Sequence, residues 1–150
     1  MRVHEQDISV ELDKDELFWD VEAFWRHTRV GYCWCEQRGD RLYISDLKVE
    51  SEHLTHWPFL CHLPVISRFA CSKIDFRHRG IGSRLINRII SEAAAAGVRE
   101  VWGSVTQSDI DQTPFLLQWY ERMGFVVSEP DHECVATAAK KITKQMLSDA

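Results

Sequence analysis

Two glycines set among arginines carry the clearest chemistry in this chain, in the run Arg77-His78-Arg79-Gly80-Ile81-Gly82-Ser83-Arg84. Gly80 permits a backbone angle that other residues resist, and Gly82 permits close approach to the main chain. If a helix starts here, the N–H groups of residues 79–84 face one point, where the helix dipole favours negative charge. Arg77, Arg79 and Arg84 add candidate phosphate contacts, so the turn suits a pyrophosphate. The plainer reading is a turn that leads into a helix and carries solvated arginines. Two commoner phosphate motifs are missing: no Lys-Ser/Thr pair closes a nucleotide loop, and there is no three-glycine dinucleotide fingerprint. Further on, Trp119-Tyr120-Glu121-Arg122-Met123-Gly124-Phe125 sets a phenol beside a second chain reversal. Tyr120 is either a core tyrosine with a satisfied hydroxyl or a group that delivers a proton.

The elements that must position these residues follow from periodicity. Ile81, Leu85, Ile89 and Ala93 recur four apart, and Ile86 and Ile90 widen the stripe. With Gly97 as a stop, this predicts a helix over residues 81–96. Residues 68–76 read as the strand that feeds the glycine turn, and 98–105 as the strand after the helix. Pro114 opens another helix, with Phe115, Leu116, Trp119 and Tyr120 at packing intervals, and Gly124 ends it. Residues 125–127 start a strand, Pro130-Asp131 makes a turn, and 134–142 read as a final strand. Upstream, residues 3–10 read as a short strand. Leu17, Val21, Phe24, Trp25 and Thr28 share one helical face, with Asp13 as N-cap and Glu16 as its reciprocal partner, which predicts a helix. Residues 31–36 and 41–49 form a hairpin about Gly39-Asp40. Its second strand groups Leu42, Ile44 and Asp46 on one face and Tyr43, Ser45, Leu47 and Val49 on the other. Residues 50–66 are apolar segments broken by prolines. This order predicts an α/β (α+β) domain with a mixed sheet, one domain over residues 1–150.

Composition sets the outer limits. The 150 residues are 45% hydrophobic, enough for a real core. The formal net charge is −5, from 18 basic and 23 acidic residues. That argues against a broad nucleic-acid surface, though not against an anionic cofactor held by backbone dipoles. No apolar run approaches about eighteen residues, so no membrane span is expected. Arg2, His4, Glu5 and Asp7 do not fit a secretory leader. Five irregularly spaced cysteines read as free thiols in a reducing cytoplasm.

Arg77-x-x-Gly80-x-Gly82 resembles the acetyl-CoA pyrophosphate loop of the GNAT (GCN5-related) N-acetyltransferase superfamily, and residues 119–125 resemble its second signature, an aromatic-Tyr-Glu-x-x-Gly-Phe run. The two arrive in the family's order, and the resemblance covers residues 68–127. The chain departs from the pattern in having no proline at the end of the strand before the loop. Residues 107–116 also lack the Asn and Ala common before the tyrosine helix. The resemblance implies a mostly antiparallel central sheet flanked by helices and acetyl-CoA as cosubstrate. It implies that the backbone at Ser72, Lys73 and Ile74 pairs with the pantetheine arm, and that the amides of Arg79, Gly80, Ile81, Gly82, Ser83 and Arg84 hold the pyrophosphate. A primary amine of a small molecule or protein attacks directly, and Tyr120 protonates the departing thiolate. Asp46, Glu50 and Asp75 are candidates to take the amine's proton, Asp46 first because it interrupts an apolar strand. Asp109 and Asp111 could attract a cationic acceptor.

Three other readings compete. His53, His56, Cys61 and His62, with Cys33 and Cys35, are zinc-ligand types. Zinc wants about four of them in tetrahedral order, and their spacing is not regular, so no metal is expected. An acyl-enzyme on Cys71 would need a nearby base that the sequence does not supply. A non-catalytic acyl-CoA sensor or protein-interaction module of the same fold is the alternative to the enzyme. Homodimers could form through a sheet edge or the apolar segment.

Overall fold

Alternation, not helical spacing, governs residues 18–25. In the computed structural model, which describes residues 7–50, 53–54, 73–74 and 77–146, Trp19, Val21, Ala23 and Trp25 are buried while Phe18 is 59% exposed. The predicted N-terminal helix is therefore a strand, β2 (Phe18–Trp25), antiparallel to β1 (Ile8–Lys14). Asp13 caps nothing; it lies within β1. Asp15 instead closes the turn, its Oδ1 accepting from the Leu17 and Phe18 amides at 2.7 Å each. A short carboxylate that mimics a backbone turn, followed by aromatic and β-branched residues at period two, favours a hairpin over a helix.

Arg26 and His27, at φ 48° and 69°, make the next two-residue turn, the geometry that matches strand twist. β3 (Thr28–Arg38) and β4 (Arg41–Val49) then form the expected hairpin around Gly39. β7 (Glu100–Thr106) lies parallel to β4, and β9 (Ala138–Gln145) and β8 (Val126–Ser128) complete a sheet in the order β1-β2-β3-β4-β7-β9-β8. The last strand begins four residues later than the sequence suggests, after a loop that runs from Glu129.

Of the strand expected over 68–76, only Lys73–Ile74 is among the described residues, and that part is not in this sheet. Its described part, β6 (Lys73–Ile74), pairs with β5 (His53–Leu54) in a separate two-stranded sheet. The remainder of 68–76, and most of the apolar stretch 50–66, lie outside the described residues.

α1 (Ile81–Ala95) follows its predicted stripe, burying Ile81, Leu85, Ile86, Ile89 and Ala93 against the sheet. Gly31 makes the close approach possible. A Cβ there would stand 3.2 Å from Ile81 and 3.3 Å from Leu85, so a larger residue would push the helix off the strand. α2 (Gln107–Gln112) was not foreseen. Thr106 caps it, and Asp109 returns the bond to the Thr106 amide. α3 (Leu116–Arg122) carries the tyrosine and ends ahead of Gly124.

On the sheet face away from α1, Trp102 is buried beneath cations. Arg41 and Lys141 lie 5.0 and 4.9 Å from its ring. Glu133 clamps Arg41 through both carboxylate oxygens at 2.6 and 3.0 Å and also meets Lys141 at 3.1 Å, fastening the loop ahead of β9.

Candidate active site

The site exists because two parallel strands part. β4 and β7 pair only from Arg41–Glu100 to Ile44–Gly103. At that point Cys35 faces Ile44 while Trp34 faces Asp46, so Ser45 is an extra residue in β4. A bulge bends a strand and resets its alternation. Leu47 and Val49 thereby join Leu42 and Ile44 on the helix side, and Asp46 moves to the face of Tyr43. The expected grouping of Asp46 with Leu42 and Ile44 fails for this reason. Beyond the bulge a cavity of about 670 Å³ opens, walled by residues 44–49, the start of α1, Ser104 and Val105 of β7, and Asp109, Phe115, Leu116, Trp119 and Tyr120.

At one end lies the glycine turn. Gly80 has φ 74° and is the N-cap of α1, with no side-chain cap on the helix. The Arg84 amide donates to Gly80 O at 3.0 Å, so it is committed to the helix and does not belong with the anion-facing amides expected at 79–84. Ile81, Gly82 and Ser83 occupy the first helical positions, whose N–H groups have no intrahelical acceptor. Arg77 and His78 line the cavity, as do Gly80, Ile81, Gly82 and Ser83, whereas Arg79 and Arg84 do not. Gly82 also has a packing role. A Cβ there would stand 3.3 Å from Trp119 Cζ2, so the glycine makes room for an indole. Trp119 Nε1 then donates to Ser83 Oγ at 3.1 Å, tying α3 to the mouth of α1.

Tyr120 is 5% exposed and lines the same cavity. Its ring packs edge-on against Trp119 and Phe125, at centroid distances of 4.8 and 5.5 Å. Burial, with smaller contributions from Cys33, Asp109, Cys35 and Asp46, pushes its phenol well above the ordinary value. Like an ordinary phenol it carries its proton at neutral pH, and burial reinforces that preference.

Asp46 is exposed at the cavity wall and accepts from the Tyr32 hydroxyl at 2.8 Å. Burial first, and this bond second, push the Tyr32 phenol up to about 12. The structure thus brings Tyr120 and Asp46 to one cleft.

Other candidates separate. Glu50 lies outside the cavity lining, its carboxylate 3.8 Å from Lys48 Nζ. Asp109 lines the cavity, but its Oδ2 accepts from the Thr106 amide and hydroxyl at 2.9 and 2.7 Å. Asp111 accepts from Gln107 and does not line the cavity. Lys73 and Ile74 sit in the small second sheet, not on the strand beside β7. Ser72, Asp75, Cys71, His56, Cys61 and His62 lie outside the described residues. Among the described residues, no group of three or more His, Cys, Asp or Glu is arranged to hold a metal, and no helix is long and apolar enough to cross a membrane. Cys33 and Cys35 are both buried, their sulfurs 3.8 Å apart.

Sequence reasoning missed Leu47, Lys48 and Val49 as site residues, together with Ser104 and Phe115. The signal for the first three was available in the length of the link 50–66, which separates the lining strand from the glycine turn.

The fold recurs widely among solved structures. PaiA N-acetyltransferase from Thermoplasma acidophilum, in complex with coenzyme A, superposes with a TM-score of 0.59 at 16% identity over 86% of this chain and 61% of that one. This chain therefore spans about three-fifths of that protein's length. A GNAT-family acetyltransferase from Staphylococcus aureus gives a TM-score of 0.60 at 11% identity, covering 87% and 69% of the two chains. An aminoglycoside 6'-N-acetyltransferase complexed with coenzyme A gives 0.57 at 18%, covering 91% and 77%. No curated protein matches the sequence. Residues 15–127 match the family model of the acetyltransferase (GNAT) domain, and with that share of its length matched, the chain belongs to the GNAT acetyltransferase family.

Proposed function

We propose that the protein transfers an acetyl group from acetyl-CoA to a primary amine by direct attack. The observation that carries this reading is the meeting of Tyr120 and Asp46 in a cleft that runs up to the uncapped start of α1. The residues fit the cosubstrate. The amides of Ile81, Gly82 and Ser83 suit its pyrophosphate, with Arg77 and His78 beside them. Among the described residues, β4 beyond Ile44 has no ladder partner on its β7 side, which suits the pantetheine amides. That role passes from Ser72, Lys73 and Ile74 to residues 46–49.

The chemistry divides between two groups. Asp46 takes the proton of the ammonium, directly or through one water, and Tyr32 keeps the carboxylate oriented. The amine nitrogen forms a bond to the acetyl carbon and the carbon–sulfur bond breaks. The Tyr120 phenol gives its proton to the sulfur and regains one from solvent. The acceptor is an amine-bearing small molecule or protein.

Calorimetry with acetyl-CoA, free CoA and desphospho-CoA tests the cofactor, and release of free thiol upon amine addition tests the reaction. Tyr120→Phe keeps both ring contacts, so it lowers kcat by about 10²–10⁴ with acetyl-CoA affinity unchanged. A kcat within about threefold of wild type would remove Tyr120 from the mechanism. Acetyl-CoA binding without thiol release for any amine would instead assign a sensor.

A further inference from the structure

One strained residue at the mouth of the cleft is not a glycine. His78 has φ 59°, in the left-handed region that glycine enters freely and other residues resist. Arg26 and His27 share this conformation, and the two-residue turn between β2 and β3 requires it of them. His78 lies between β6 and α1, where no hairpin asks for it. It stands two residues before Gly80, which is left-handed at 74°, while Arg79 between them is not left-handed. Alternation of this kind aims successive N–H groups into one concavity that suits an anion. The turn therefore holds two left-handed positions, and a glycine relieves the strain at one of them.

Strain at the other persists only where the surroundings hold it. The imidazole of His78 meets the ring of Phe115 at a centroid distance of 5.1 Å and an interplanar angle of 53°. That is an attractive geometry for two aromatic rings. Both residues line the cavity and are exposed at its edge, Phe115 to 42%. Phe115 is the residue at which α3 begins, and its carbonyl accepts from the Trp119 amide at 3.0 Å. Trp119, one helical turn on, is the residue tied to Ser83. α3 thus grips the other wall of the cleft at two points, with Phe115 on His78 and Trp119 on Ser83.

Resting on the cosubstrate reading above, we propose that Phe115 is a positioning residue for the pyrophosphate. Its ring holds His78 left-handed, and His78 in turn aims the amides of the glycine turn. The helix that carries Tyr120 thereby also shapes the anion cradle.

The test is a double-mutant cycle on the full chain. It reads the Kd of acetyl-CoA by calorimetry, and kcat/KM for acetyl-CoA against S-acetylpantetheine, which lacks the pyrophosphate. Phe115→Ala weakens acetyl-CoA binding about threefold to tenfold, the size of one aromatic contact, and through KM more than kcat. The loss with S-acetylpantetheine is smaller. Phe115→Trp, which keeps a ring, retains more affinity than Phe115→Leu, which keeps only bulk. In the His78→Gly background the angle needs no support, so Phe115→Ala costs less than about twofold there. A thermal melt of each variant shows that it has folded, and Phe115→Leu replaces Phe115→Ala in the cycle should that variant fail the check. Equal losses with and without His78 would mean that the ring touches the cosubstrate itself. That result, or equal losses for the two thioesters, would overturn the positioning role and leave the transferase standing. No binding of acetyl-CoA or CoA by folded wild-type protein would overturn both.

Discussion

Replacing Gly80 by alanine isolates the cost of one backbone angle. Gly80 sits at φ 74°, and a Cβ there would meet nothing within 4 Å, so the penalty is conformational and not steric crowding. Holding an L-residue in the left-handed region costs about 1–2 kcal/mol. The stiffer unfolded chain returns about 0.4–1 kcal/mol. The net loss is about 1 kcal/mol, or about 2–4 °C in Tm for a chain of this length. The variant can also relieve the strain by leaving the left-handed region. That would break the Arg84 N–Gly80 O bond and turn the amides of Ile81 to Ser83 away from the cavity. Acetyl-CoA affinity should therefore fall along with Tm. Asparagine tolerates the left-handed region, so Gly80→Asn should recover much of both. Thermal melts and acetyl-CoA calorimetry on the two variants check this. Asparagine as damaging as alanine, or alanine harmless in both assays, would refute the argument that the angle sets the anion site.

Gly82→Ala fails for the other reason. Alanine gains about 1 kcal/mol of helix propensity, but its Cβ at 3.3 Å from Trp119 wedges a ring held by Ser83, and overpacking costs about 1–3 kcal/mol. The displaced indole presses on Tyr120, so kcat should fall more than acetyl-CoA affinity; a variant as stable and as fast as wild type would refute the wedge. Acid should loosen the loop ahead of β9. Lys141 chiefly holds Asp131, and Arg41 chiefly holds Glu133, at about 2, below ordinary values of 3.8 and 4.5. Depressed carboxylates stabilise fully above their unfolded values, and that contribution is lost as pH falls towards the folded ones. Near-ultraviolet circular dichroism from the Trp102 region should therefore change between about pH 4.5 and 2, and Glu133→Gln should shrink that change; an unaltered acid profile in the variant would sink the assignment.

The glycine turn at Gly80, α1 and the helix that carries Tyr120 were legible because local spacing specifies them. A four-residue apolar stripe, a glycine stop and a phenol beside a chain reversal need no distant partner. The β3–β4 hairpin was legible for the same reason. Residues 18–25 misled because Leu17, Val21, Phe24 and Trp25 satisfy a helical face while Trp19, Val21, Ala23 and Trp25 satisfy a strand face. The tie is broken by pairing with β1 and β3, which no local window contains. α2 was invisible because its six residues bury none of their own side chains, so no apolar period marks it. The lining strand was assigned to 68–76 on the assumption that the strand before the glycine turn in sequence is also the strand beside it in space.

The misread hairpin and the open face have one cause. A helix over residues 13–28 would have had to pack on the sheet somewhere, and α1 already covers β1 to β4 on one side. The only other place for it would have been the side that carries Phe18, Trp34 and Tyr32. Because those residues form β2 instead, the sheet gains an antiparallel strand there and keeps Phe18 and Trp34 at 59% and 40% exposure. The Ser45 bulge then turns Asp46 onto that open side at the point where β4 leaves β7. The cleft thus has the glycine turn and the start of α1, which has no side-chain cap, on one side and Asp46 beneath the Tyr32 hydroxyl on the other. Local β-propensity in residues 18–25 and one extra residue in β4 are enough to produce that arrangement.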